Sequence, residues 1–104
     1  MEAALRAIAE PRRRTILRLV GDSELSAGEI AAHFEVTRPA ISQHLTILKN
    51  AGLVAERREG PRRLYRIRPE GLEDVRAYLD GFWAESLDRL KAAAESEERR
   101  ASRR

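Results

Sequence analysis

Apolar residues recur at threes and fours along most of this chain, with one interruption past its midpoint. Leu5 and Ile8 share one side of a short stretch, Glu2 to Ala9, that reads as a helix. Pro11 suits the first position of a second helix, where a missing N–H is no loss. Ile16, Leu17 and Val20 give that helix its stripe, and Gly21-Asp22 ends it. Ser26 and Glu29 then have capping-box spacing, while Leu25 and Ile30 occupy the two positions of a hydrophobic staple. The helix they start is expected to run to about Phe34. The start signal repeats at once: Thr37 is the cap, Val36 and Ile41 form a second staple, and Pro39 falls in the tolerant first turn. Ile41, Leu45 and Leu48 follow at i, i+4 and i+7, a single core-facing stripe. Ala51-Gly52-Leu53 closes this helix, with Gly52 as a left-handed cap. Two capped helices joined by about four residues make a helix-turn-helix.

The period then shortens to two. Val54 to Arg58 and Arg63 to Arg68 read as strands around Glu59-Gly60-Pro61-Arg62, with Tyr65 and Ile67 on the inward side. From Gly71 the helical period returns, with Leu72, Val75, Leu79, Phe82, Trp83, Leu87 and Leu90 at threes and fours. The fold class is therefore mainly α with a small β-hairpin: a winged helix-turn-helix with additional N- and C-terminal helices. Residues 1–95 are expected to form this domain, and residues 96–104, with nothing to bury, a basic flexible tail.

Composition sharpens the picture. The 104 residues suit one domain near the lower end of independently stable size, where a partner chain adds stability. No apolar run approaches the ~20 residues that span a bilayer. With Arg12, Arg13 and Arg14 following the first helix where a signal peptide would have its cleavage site, a cytoplasmic location is the default expectation. The absence of cysteine excludes disulfides, thiolate metal sites and thiol catalysis. The net charge of +3 hides a block at residues 37–68 that sums to +6, between a −4 segment (21–36) and a −6 segment (69–98). Such a field draws polyanions to one face and repels them elsewhere.

Thr37-Arg38-Pro39-Ala40-Ile41-Ser42-Gln43-His44-Leu45 with Leu48, then Ala51-Gly52-Leu53-Val54, closely resembles the recognition-helix signature of the ArsR/SmtB family. Glu10-Pro11-Arg12-Arg13-Arg14-Thr15-Ile16-Leu17, Glu24-Leu25-Ser26, Arg57-Arg58-Glu59-Gly60 and Tyr65-Arg66-Ile67 add to the likeness, which spans roughly residues 5–68. The resemblance implies a homodimeric transcriptional repressor on an imperfect palindrome overlapping a promoter. Metal-sensing members carry Cys-x-Cys on the first helix of the motif; here Ser26 and Gly28 stand at those positions, and no histidine lies between Leu72 and Arg104. Soft and borderline metals require thiolate or imidazole, so no metal and no cofactor is expected.

With Ile41, Leu45 and Leu48 buried, the helix presents Thr37, Arg38, Ser42, Gln43, Thr46 and Lys49 on its outer side. In this motif the N-terminal part of the second helix enters the major groove. There Gln43 suits a two-pronged bond to adenine, Arg38 one to guanine or to phosphate, and Ser42 either base. His44 lies at the stripe's edge, placed for a structural hydrogen bond or a base contact, and stays among the candidates. Arg57, Arg58, Arg62 and Arg63 near the hairpin tip are placed for phosphates or the minor groove, Arg62 and Arg63 above all for phosphate. The Arg12–Arg14 triplet invites either DNA or a salt bridge to the acidic last helix. The long stripe exceeds the needs of one small core. Leu5, Ile8, Leu72, Val75, Leu79, Phe82, Trp83 and Leu87 are therefore expected to meet the same surface of a second copy.

The partners expected are thus double-stranded DNA and the chain itself, with no membrane; no residue pattern singles out an effector. An enzyme is disfavoured, because there is no Gly-rich phosphate loop and no cluster of His with carboxylates. A winged helix that docks protein or binds RNA stays open as the alternative.

Overall fold

The structure, a computed structural model, describes residues 1–102. Its elements are α1 (Glu2–Ile8), α2 (Pro11–Asp22), β1 (Leu25–Ser26), α3 (Ala27–Ala31), α4 (Arg38–Asn50), β2 (Val54–Glu59), β3 (Arg62–Ile67) and α5 (Pro69–Ser102). The expected order of helices and hairpin is present. Ser26 and Glu29 make both bonds of the capping box: the Glu29 amide donates to Ser26 Oγ at 3.1 Å, and the Ser26 amide to Glu29 Oε1 at 2.9 Å. Thr37 Oγ1 accepts from the Ala40 amide at 3.3 Å, which starts α4 where the staple placed it. Gly52 (φ +78) ends that helix in the left-handed region. Gly60 (φ +62) takes the first of two loop positions between β2 and β3, as a tight hairpin requires.

Three features depart from the sequence-based reading. The helical backbone of α3 stops at Ala31, short of Phe34, and the chain turns through residues 32–36 instead. The sheet has a third strand: β1 pairs antiparallel with β3, Leu25 opposite Tyr65 and Ser26 opposite Leu64, giving the order β1-β3-β2. As the central strand, β3 has covered side chains on both faces, so Leu64 is buried beside Tyr65 while Ile67 is only half-buried. Finally, α5 runs unbroken through the expected boundary at residue 95 and reaches Ser102. Its last turns, Ala92-Ala93-Ala94-Glu95 onward, are strong helix formers, and Arg100 pairs with Glu97 one turn back. Residues 103–104 of the expected tail lie outside the described residues.

The core gathers one stripe from each helix: Ala4 and Ala7 of α1, Ile16, Leu17 and Val20 of α2, Ile30 of α3, and Ile41, Leu45 and Leu48 of α4. Leu53, Val54, Tyr65 and Val75 close it, with Leu5, Ile8 and Leu72 packed at its margin. Val75, expected to face a second copy, is thus buried in its own domain at 5% exposure. The first turn of α5 sits tight on the end of α4. A Cβ on Gly71 would lie 2.1 Å from the Gly52 carbonyl oxygen.

Candidate nucleic-acid interface

Burial of Ile41, Leu45 and Leu48 fixes the roll of α4, and Thr37, Arg38, Ser42, Gln43, Thr46 and Lys49 are all exposed. Between this helix and the hairpin lies an open cleft of about 440 Å³. Arg38, Ser42, Thr46 and Lys49 line one side, Arg62 and Arg63 the other, and Tyr65 is among its walls. Six of the expected DNA-contacting side chains are therefore brought together. Gln43 lies outside the cleft, on a neighbouring surface shared with Ser42, Thr46 and Ile47. Ile47, 42% exposed, was missed, although its spacing from Ile41, Leu45 and Leu48 puts it off the core stripe and on the side of Gln43. Thr37 and Arg58 are exposed but do not line the cleft.

The hairpin is fixed to the helical body by ion pairs. Arg57 grips Glu24 with Nε and Nη2 at 2.6–2.9 Å, and Arg62 Nη2 donates to Glu29 Oε1 at 2.6 Å. Glu56 receives Lys49 Nζ at 3.1 Å and has Arg63 Nε at 3.6 Å. The ion-pair roles of Glu24 and Glu29 have no local signature in the sequence, since their partners Arg57 and Arg62 are 33 residues away. The hydrogen bonds and charge of Arg57 hold the Glu24 carboxyl below its ordinary value, and the Ser26 amide, with Arg62 added, does the same for Glu29. Burial pushes the Tyr65 hydroxyl up.

Two expectations are corrected here. His44 is turned away from the exposed face: its Nδ1 lies 3.4 Å from Arg13 Nη1 and 4.0 Å from Glu10, with most of the ring covered. That places it in a structural contact between α4 and the start of α2. The Arg12–Arg14 triplet makes no salt bridge to α5. Arg13 donates to the carbonyls of Ala7 (2.7 Å) and Arg6 (3.1 Å), and Arg14 to that of Ile8 (2.8 Å). Both side chains therefore donate to carbonyls at the end of α1, while Arg12 stays near Glu10 at 3.8 Å.

Beyond Val75, α5 leaves the domain. Leu79, Phe82, Trp83 and Leu87 are 45–63% exposed, and Tyr78 and Leu90 join them. Such a set of large apolar side chains on one exposed helix is unusual for a lone domain.

The sequence pattern of the bacterial regulatory protein family arsR matches residues 10–56, the span from the start of α2 to β2. The helix-turn-helix-type transcriptional regulator Rv2034 of Mycobacterium tuberculosis is 41% identical over 92% of this chain and 90% of its own length. The chain belongs to the arsR family. The transcriptional repressor SdpR of Bacillus subtilis is 39% identical over 79% of this chain and 91% of its own. Among solved structures, a possible transcriptional regulator for arsenical resistance superposes with a TM-score of 0.75 at 47% identity, over 86% of this chain and 93% of that one. An ArsR-like regulator from Rhodococcus sp. RHA1 reaches a TM-score of 0.84 at 30% identity, covering 93% and 89%.

This arsR-family protein is a DNA-binding transcriptional regulator and not an enzyme. No helix among its described residues is long and apolar enough to cross a membrane. At the two positions where cysteines were compared, Ser26 caps α3 and Gly28 faces the Arg38 guanidinium, which a Cβ there would approach to 3.5 Å.

Proposed function

We propose that the protein acts as a homodimeric repressor that reads a pseudo-palindromic operator, with α4 in successive major grooves and the β2–β3 wing on the flanking phosphates. The observation that supports this best is the cleft, where hydroxyl and basic side chains of α4 face two arginines of the wing. Ser42 and Gln43 suit base edges, while Arg38, Lys49, Arg62 and Arg63 suit phosphate. Arg58, exposed on β2 opposite Arg63, suits phosphate as well. A helix of this kind does not fit the narrow major groove of duplex RNA.

The dimer is supported by the exposed stripe of Leu79, Phe82, Trp83 and Leu87, which continues the line of Leu72; Leu5 and Ile8 of α1, only partly buried, are proposed to join it. Two reading helices then need to lie one helical turn apart, about 34–36 Å. The test is selection of bound duplexes from a genomic pool, with the mass of the complex measured in parallel. Two inverted half-sites bound by two chains are expected. A pool with no enriched motif in dilute salt, or a monomer at micromolar concentration, overturns the proposal.

A further inference from the structure

Most cations that line the cleft already hold an anion. Glu56, on β2, stands between Lys49 of the recognition helix and Arg63 of the wing, 3.1 and 3.6 Å away, with its side chain only 17% exposed. Glu29, at the start of α3, meets Arg62 at 2.6 Å with the same oxygen that accepts the Ser26 amide. Of the four cationic side chains in the cleft, only Arg38 has no carboxylate within ion-pair distance among the described residues. Two carboxylates thus stand where phosphates of a bound duplex would be sought.

The geometry points to Glu56, with Glu29 second, as a built-in phosphate mimic that keeps the protein's affinity for DNA of arbitrary sequence low. This rests on the reading that the cleft takes duplex DNA. Lys49, Arg62 and Arg63 are each more than half exposed, so a duplex can reach each cation and displace its carboxylate. Displacement is an exchange: every cation handed to a phosphate leaves a carboxylate that must recruit a counterion of its own. Net ion release per contact, which drives sequence-independent binding, therefore falls. Ser42 and Gln43 are bonded to neither carboxylate, so base reading is left intact while the backbone contribution is held down.

The probe is a random-sequence duplex, titrated by fluorescence anisotropy across a salt series. The proteins compared are the wild type, E56Q, E29Q, K49M/R63M and E56Q/K49M/R63M. E56Q is expected to bind roughly threefold or more tightly in dilute salt, with a slope of log affinity on log salt steeper by up to about one ion. The gain should vanish in the K49M/R63M background, since the carboxylate then has no cation to hold. A gain of equal size in that background means that only net charge matters and overturns the proposal. So does unchanged or weaker binding of E56Q with a wild-type circular dichroism spectrum. Should E56Q fail to fold, E29Q with and without R62M decides by the same criterion, because Gln preserves the capping-box acceptor. Wild-type affinity of K49M/R63M for the probe sinks the DNA reading of the cleft itself, and the mimic with it.

Discussion

At Gly71 a single missing carbon sets how α5 meets the rest of the domain. Helix propensity alone favours Ala over Gly in a helix interior by about 1 kcal/mol. A Cβ at this position, however, would meet the Gly52 carbonyl oxygen at 2.1 Å and its carbon at 3.0 Å, both backbone atoms that move only with the end of α4. Overpacking of this sort costs about 1–3 kcal/mol, so Gly71→Ala should lower the denaturant midpoint. Gly81, further along the same helix, has nothing within 4 Å of its would-be Cβ, and Gly81→Ala should add about 0.5–1 kcal/mol of stability and raise the midpoint. Equal signs for the two variants would contradict the close approach. On the reading face, Gln43→Ala is expected to cost about 1–3 kcal/mol at one base position and to relax the preference there. A uniform loss on all sequences would remove Gln43 from the readout.

Elements differed in how much of them the sequence disclosed, and the difference follows the range of their contacts. The helix α4 was legible to the residue because its cap, its proline, its stripe and its terminal glycine all lie within the element. Strand β1 was not, because two residues carry no period and their partners Tyr65 and Leu64 lie some forty positions on. The inward turn of His44 depends on Arg13, 31 residues away, and so has no local signature either. For α5 the stripe itself was plain, but a stripe does not say where the domain's own core stops. The structure puts that division between Val75, buried, and Leu79, exposed. The dimer proposal therefore rests on the outer part of the helix. Trp83→Glu with Leu79→Glu should give a folded monomer by light scattering and lose operator binding through loss of the second half-site. A dimer that survives both charges would move the interface elsewhere.

On the scale of the whole molecule, acid should loosen the joint between wing and body. The carboxyls of Glu24 and Glu29 titrate below the ordinary 4.5, the first chiefly through hydrogen bonds from Arg57, the second chiefly through the Ser26 amide. Glu10 does so as well: partial desolvation opposes the charged form, but the Arg13 amide, His44 and Arg12 outweigh it. A group whose folded pKa lies below its unfolded one adds stability above the unfolded value and loses it as pH falls through the folded value. Thermal midpoints should thus be flat from neutrality down to about pH 5 and fall below 4.5. Gln at positions 10, 24 and 29 together should lower the neutral midpoint and shrink that fall. A triple variant with the parent's full acid dependence would assign the effect to other groups.

The third strand has one more consequence. Leu25 and Ser26, hydrogen-bonded to β3 and continuous with α3, tie the hairpin directly to the first helix of the motif. In the proposed dimer, a signal that moves the wing also moves that helix. It would act like a hand on a pair of callipers, changing the distance between the two jaws.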